Sequence, residues 1–297
     1  MSLVRFNFES QYLGNNHEIG IILPDKPRDK SPREFYGSGA KYPVLWLLHG
    51  TFGDYSDWIR KSNIELYACE RDLIVVMPSA MNSDYVNWPA FGTGYNMWDY
   101  FTEELMPLIY NWFPASDKRE DNFIAGLSMG GGGTLKIALG HPEKFAGAAI
   151  LSSSARDVSY LKPYADLTAD EFRRKALAGE IDIPTPFRGA MPMRQINSIT
   201  KYDTVRDYLD SVENTWDRLA ELASTGKLPR IYAACGTEDF GYKNFLKFKE
   251  YAQELDLDAE FEEIEGYSHE WRFWDLTIQH ALRFFGLDKT DDAGNPF

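Results

Sequence analysis

Short apolar runs that alternate with helical segments are the feature that most constrains how this chain can fold. Five such runs have little polar relief, at positions 44–49, 72–77, 123–127, 147–151 and 230–235. Runs of this length are typical of strands that are buried on both faces of a parallel sheet. Segments with helical spacing lie between and after them, at 63–70, 98–112, 132–139, 240–255 and 274–285. The alternation predicts an α/β fold in which helices flank a mostly parallel central sheet.

The two ends of this sheet have weaker signals. Residues 4–23 alternate around a turn signal at Gly14, which predicts two antiparallel strands at the start of the domain. Residues 259–264 predict a last strand before the final helix. Residues 24–42 are rich in proline, glycine and charge, and therefore predict an exposed loop.

One interval, 154–228, breaks the alternation because it contains no convincing buried strand. A capping box at Thr168 predicts a helix that ends near Gly179. A proline-rich link, 181–192, and a crossover helix follow. We predict a single domain, 1–297, in which 154–228 is an insertion that caps the functional site in part; the alternative is that it is decoration.

Charge and composition exclude some classes of partner. The net charge of −14 repels phosphate backbones and anionic lipids, so neither nucleic acid nor a membrane is an expected partner. The same field disfavours highly anionic substrates unless a local patch overrides it. The two cysteines have no metal-ligand spacing, and no signal peptide or transmembrane run is present. We expect a cytoplasmic protein, leaving open a homo-oligomer and secretion with a removed leader.

Residues 126–130 read GLSMG and match the pattern G-x-S-x-G. The glycines permit a tight turn from strand to helix that holds the serine exposed above the sheet. The motif follows one predicted strand and opens a predicted helix, which is the context it requires. Ser128 is therefore the candidate nucleophile, and the helix start places the Met129 N–H where an oxyanion would develop.

In α/β-hydrolases with this motif the acid and then the histidine follow the serine along the chain. His269 is the candidate base because it lies in a loop directly after the last predicted strand. His141 closes one helix and His280 lies inside another, which favours structural roles. Asp239, in the turn after strand 230–235, is the candidate acid that would orient the imidazole, with Glu238 as the alternative.

A second oxyanion donor is expected after the strand 44–49. Residues 49–53 read HGTFG and resemble the His-Gly loops of lipases and esterases. Thr51 N–H is the candidate donor, with Phe52 as its neighbour. His49 ends a buried strand and is expected to be structural.

Six stretches together resemble the tributyrin esterase and esterase D group, which is related to the carbohydrate esterase family that includes acetyl and feruloyl esterases. They cover most of the chain and lie at 47–58, 75–80, 119–131, 141–149, 235–240 and 266–275. The resemblance implies the α/β-hydrolase fold and the roles given above for Ser128, Asp239 and His269. It implies a serine carboxylesterase that needs no metal or cofactor and acts on a small-molecule or carbohydrate ester, with an acetyl, butyryl or feruloyl type of acyl group.

Three other activities stay open at this point: a thioesterase such as S-formylglutathione hydrolase, an acyltransferase to a sugar hydroxyl, and a binding module without catalysis. The length of 154–228 leaves the natural ester undetermined. Phe52, Trp88 and Trp271 are candidate substrate contacts, and Trp274 is a further aromatic near the motifs. Core packing is the alternative role for these rings.

Overall fold

The central sheet of the computed structural model has eight strands within the described residues, 2–184 and 191–289. The strands are β1 (Ser2–Ser10), β2 (Asn15–Leu23), β3 (Val44–Leu48), β4 (Ile74–Pro78), β5 (Asn87–Trp88), β6 (Tyr95–Asn96), β7 (Asn122–Leu127), β8 (Gly147–Leu151), β9 (Arg230–Gly236) and β10 (Ala259–Ile264). The order in the sheet is β1-β2-β4-β3-β7-β8-β9-β10. The strands from β4 to β10 in this order pair in parallel, whereas β2 is antiparallel to both of its neighbours.

Helices cover both faces of this sheet. They are α1 (Pro32–Tyr36), α2 (Asp57–Lys61), α3 (Ile64–Cys69), α4 (Met97–Asp99), α5 (Met106–Trp112), α6 (Met129–Gly140), α7 (Ala169–Leu177), α8 (Met191–Ile199), α9 (Val205–Leu209), α10 (Thr215–Ala223), α11 (Tyr242–Glu254) and α12 (Trp271–Phe284). The chain from α4 to α5 is continuous, because a π-helical stretch, Tyr100–Leu105, joins them. The mostly parallel sheet and its flanking helices confirm the predicted fold class.

Strand β3 shows why the strands read as unbroken apolar runs. Val44, Trp46 and Leu48 point into one layer of the core, and Leu45 and Leu47 point into the opposite layer. All five side chains are fully buried. A strand covered on both faces has no solvent side, so the sequence keeps no polar alternation.

Two sequence expectations need correction. The segment 24–42 is not a loop throughout, because α1 forms within it. Ser31 and Glu34 make a reciprocal capping box, and Pro32 occupies the first helical position. The strand predicted from residue 72 begins at Ile74, since Asp72 has a φ of +50° in the preceding turn.

The interval 154–228 contains α7, α8, α9 and α10. The predicted capping box at Thr168 is present, and the helix it starts ends before Gly179. Helix α8 begins at the end of the predicted proline-rich link; residues 185–190 of that link lie outside the described residues. A small apolar core of its own, including Leu161, Phe172 and Tyr208, holds this interval together. Leu219 and Leu222 of α10 pack instead against α6 and β9, as a crossover helix does. The capping role of the interval stays a prediction.

Candidate active site

Ser128 lies at the turn between β7 and α6, with φ +53° and ψ −117°. A Cβ at Gly126 would lie 2.4 Å from the main chain of Gly130, and one at Gly130 would lie 2.5 Å from the Leu48 oxygen. Side chains at these two positions would therefore clash with backbone, which accounts for both glycines of the motif. The turn leaves the serine hydroxyl at the carboxyl edge of the sheet, beside the amino terminus of α6.

The structure brings Ser128, His269 and Asp239 into one hydrogen-bonded line. His269 Nδ1 lies 2.8 Å from Asp239 Oδ2, and its Nε2 lies 2.9 Å from Ser128 Oγ. Because a carboxylate can only accept, Nδ1 carries the hydrogen and donates to Asp239. Nε2 then accepts the serine hydroxyl hydrogen. This tautomer is the one that can remove a proton from Ser128.

Asp239 is the most protected member of this line, since its side chain has no solvent exposure. Burial alone would raise the pKa of its carboxyl group, but hydrogen bonds and charge outweigh that effect. Donation from His269, from the Gly241 N–H at 2.8 Å and from Ser152 holds the pKa of Asp239 below its ordinary value. The carboxylate is therefore ionised where it faces the imidazole.

Ser152 was not predicted as part of the site. It follows β8 with a φ of +50°, and its hydroxyl accepts a hydrogen bond of 3.0 Å from Trp274 Nε1. The Trp274 ring also stands edge-on to His269, with 5.0 Å between ring centroids. A positive φ in a non-glycine residue at a strand end is visible only in the structure, so the sequence offered no signal for Ser152.

The loop after β3 lies beside Ser128. A Cβ at Gly50 would lie 3.4 Å from the Ser128 Cβ. The Phe52 N–H donates to Asn82 Oδ1 at 2.8 Å, and Thr51 Oγ1 accepts from Arg194 at 3.2 Å. These two contacts fix the loop from neighbouring segments, and neither Asn82 nor Arg194 was predicted from sequence.

The other candidates take the structural positions that the sequence favoured. His49 is buried, with Nδ1 2.7 Å from the Gly50 oxygen and Nε2 accepting from the Ala80 N–H. His280 Nδ1 lies 2.8 Å from Glu262. Glu238 is exposed and does not face the imidazole.

A cavity of about 640 Å³ opens at Ser128 and His269. Thr51, Phe52, Met129 and Trp271 line it, together with residues from 152–160 and from 194–216. Phe52 is 89 % exposed at the rim. The expectation for Trp88 was wrong: its ring is not among the residues that line the described part of the cavity. Its Nε1 donates to the Ser83 oxygen at 2.8 Å, and Lys201 covers its face at 4.5 Å.

Comparison with known proteins agrees with this geometry. Residues 10–285 match the sequence model of the Esterase family. The chain belongs to the esterase family. It is a carboxylic ester hydrolase with the α/β-hydrolase fold. This assignment confirms the resemblance drawn from the sequence motifs.

Three relatives illustrate the range of this esterase family. An acetyl esterase of Caldicellulosiruptor saccharolyticus is 30 % identical over 98 % of this chain and 100 % of its own length. A crystal structure of S-formylglutathione hydrolase from Staphylococcus aureus is 27 % identical with a TM-score of 0.71, covering 96 % of this chain and 98 % of that one. A ferulic acid esterase, for which no organism is given, shares the fold at 20 % identity and a TM-score of 0.67, covering 96 % of each chain.

Two further searches of the esterase concern the part of the chain that the structure describes. No group of three or more histidine, cysteine or acidic side chains in residues 2–184 and 191–289 is arranged to hold a metal ion. None of the helices found there combines the length and the apolar character needed to cross a bilayer.

Proposed function

We propose that this esterase hydrolyses short-chain or aromatic carboxylic esters through an acyl-enzyme intermediate on Ser128. The observation that carries the proposal is the continuous hydrogen-bonded line from Ser128 through His269 to Asp239 at the edge of the cavity. The similarity to an acetyl esterase supports a short acyl group, and the aromatic rings of Phe240 and Trp271 on the cavity support an aromatic one.

In the acylation step, His269 Nε2 takes the Ser128 proton while Oγ attacks the ester carbonyl carbon. The carbonyl oxygen gains negative charge, and the N–H groups of Met129 and Thr51 stabilise it. We assign Thr51 rather than Phe52 because the Phe52 N–H already donates to Asn82. The C–O bond to the leaving alcohol then breaks as protonated His269 donates to that oxygen.

In deacylation, water takes the place of the leaving alcohol. His269 accepts a proton from the water, whose oxygen attacks the acyl carbon, and then returns a proton to Ser128 Oγ. The Asp239 carboxylate keeps the imidazole in the productive tautomer and stabilises the imidazolium in both steps.

The test is hydrolysis of 4-nitrophenyl acetate, butyrate and octanoate and of methyl ferulate by the wild type and by Ser128→Ala. We expect the variant to lose about 10⁴-fold or more in kcat. Ser153→Ala removes the hydroxyl of another serine at the cavity and serves as the matched control, which should keep its activity. Retained hydrolysis by a folded Ser128→Ala protein would contradict the proposal.

A second candidate function is thioester hydrolysis of the S-formylglutathione type. The similarity to the S. aureus enzyme over nearly the full length of both chains favours it. The same residues would act, with a thiolate instead of an alkoxide as leaving group. Comparing kcat/KM for S-formylglutathione with that for 4-nitrophenyl acetate distinguishes the two, because only a thioesterase should prefer the thioester.

A further inference from the structure

One side of the cavity is lined by charged side chains that the proposed mechanism does not use. We call Lys136, Arg156 and Arg194 the cationic wall. Lys136 lies two helical turns beyond Ser128 on α6, which corresponds to about 12 Å of helix rise, and both residues line the cavity. Arg156 follows β8, and Arg194 is on α8.

Arg194 is already neutralised. It makes a bidentate ion pair with Asp84, with 2.8 Å between Nε and Oδ2. The second carboxylate on this side, Glu213, is almost fully buried and pairs with Lys201 at 2.6 Å. Glu213 also accepts hydrogen bonds from Ser198 and Tyr202. Each acidic side chain here therefore has a cation of its own.

Lys136 and Arg156 lack such a partner. Lys136 Nζ donates to the main-chain oxygen of Asp84 at 2.9 Å, and Arg156 donates to the side-chain amide oxygen of Gln195 at 3.0 Å. Both acceptors are neutral. Across residues 2–184 and 191–289, no carboxylate forms an ion pair with either cation. Two positive charges on this wall are left without a counter-ion.

The balance of charge at Lys136 points the same way. Burial lowers the pKa of Lys136, and the more distant carboxylates of Asp84 and Glu213 only partly oppose that effect. Arg156 adds to the positive charge that acts on it. An anion in the cavity would complete this set of charges. Arginine binds a carboxylate with its planar fork and lysine binds it as a point charge.

We propose that the ester substrate carries a carboxylate group, which binds between Lys136 and Arg156 while the ester lies at Ser128. The inference rests on the proposed function, because it takes Ser128 as the site of reaction. It concerns a chain with a net charge of −14, so the local cations oppose the overall field. The carboxylate belongs either to the acyl group or to the leaving group, and the two arms of the test distinguish them.

The first arm places the carboxylate on the acyl group, using 4-nitrophenyl hemiesters of succinate, adipate and suberate against the corresponding primary amides. The second places it on the leaving group, using acetyl esters of glycolate, 4-hydroxybutyrate and 6-hydroxyhexanoate against their amides. We expect kcat/KM to favour the carboxylate by about tenfold or more in one of the arms, since one charge-assisted contact contributes at least this much.

Variants then test the two cations. Lys136→Met and Arg156→Gln should each bring the carboxylate-to-amide ratio close to one while hydrolysis of the amide-bearing ester continues. Arg156 is exposed, so its variant keeps the test decisive even if Lys136→Met does not fold. Lys243→Gln removes an exposed positive charge outside the cavity lining and should leave the ratio unchanged. An equal ratio in the wild type, or an unchanged ratio in Arg156→Gln, would overturn the inference.

A binding measurement separates this inference from the proposed function. Adipate should bind Ser128→Ala more tightly than adipamide does, by calorimetry, and Arg156→Gln in the same background should abolish the difference. If Ser128→Ala is inactive and adipate shows no preference, the proposed function stands and the carboxylate site fails. If Ser128→Ala still hydrolyses esters, the proposed function fails, whatever adipate does.

Discussion

Replacing Asp239 by asparagine tests how the histidine is held, without changing the size of the side chain. The asparagine can keep its oxygen toward the Gly241 N–H, which Asp239 now accepts at 2.8 Å. Its amide NH₂ then faces His269 Nδ1, which must become an acceptor. The ring hydrogen moves to Nε2, so the nitrogen facing Ser128 can no longer accept the hydroxyl proton. The opposite rotamer restores the donor at Nδ1 but sets two N–H groups against each other at Gly241.

Either arrangement loses one hydrogen bond of the line, and the first also inverts the tautomer. The same replacement in a serine protease lowers kcat by about 10⁴-fold. At about 1.36 kcal/mol per factor of ten, this is about 5 kcal/mol of transition-state stabilisation. We expect a similar loss of kcat here with little change in KM, because Asp239 is fully buried and does not contact the cavity.

The assay is steady-state hydrolysis of 4-nitrophenyl acetate, with urea unfolding as a check that the variant folds. Glu238→Gln is the matched control, since it neutralises the adjacent acid, which is exposed. We expect this control to retain activity. If Asp239→Asn were to keep most of its kcat while Glu238→Gln lost it, the acid would be Glu238 and the reasoning above would be wrong.

Three further predictions follow from single contacts. Gly130→Ala should lower the free energy of unfolding by about 2–3 kcal/mol in urea, because its Cβ would strike strand backbone, whereas Gly132→Ala, with only one side-chain atom at 3.9 Å, should not lower it. Burial lowers the pKa of His17 from 6.5 to about 4, so the unfolded chain gains a proton first as the pH falls. Stability should therefore drop by about 2 kcal/mol between about pH 6.5 and 5 through this group, and a pH series of unfolding curves for His17→Gln should lack that component. Arg194→Met should lower kcat by about tenfold or more, because Thr51 loses the contact that holds its loop; unchanged kcat on 4-nitrophenyl acetate would contradict this role.

The parts of the fold that could be predicted are those in which local sequence and tertiary environment agree. Strand β3 is buried on both faces, so every residue from Val44 to Leu48 is apolar and the strand can be read directly. The line of Ser128, Asp239 and His269 could be predicted because each residue follows a recognisable strand. The carboxyl ends of parallel strands meet at one edge of the sheet, and the chain order of the motif fixed which residue was which.

The parts that could not be predicted depend on contacts between distant segments. Arg194 is 143 residues from Thr51 and 110 from Asp84, and nothing near it in the sequence marks either partner. Trp88 was a plausible substrate contact because tryptophan is conspicuous near a motif. Its position followed instead from a hydrogen bond to Ser83 and from the stacking of Lys201, neither of which has a local signature.

The net charge shows the same limit for electrostatics. A value of −14 describes the field that a ligand meets at a distance, and it argues against anionic substrates. Inside the cavity, screening confines the influence of most surface charges to about 8 Å, so the few nearby side chains decide what binds. There the carboxylates of Asp84 and Glu213 are each paired, and Lys136 and Arg156 are not. Which charges are already paired can be determined only after folding has chosen the partners, so the total charge of the sequence and the charge that a substrate encounters at Ser128 can have opposite signs.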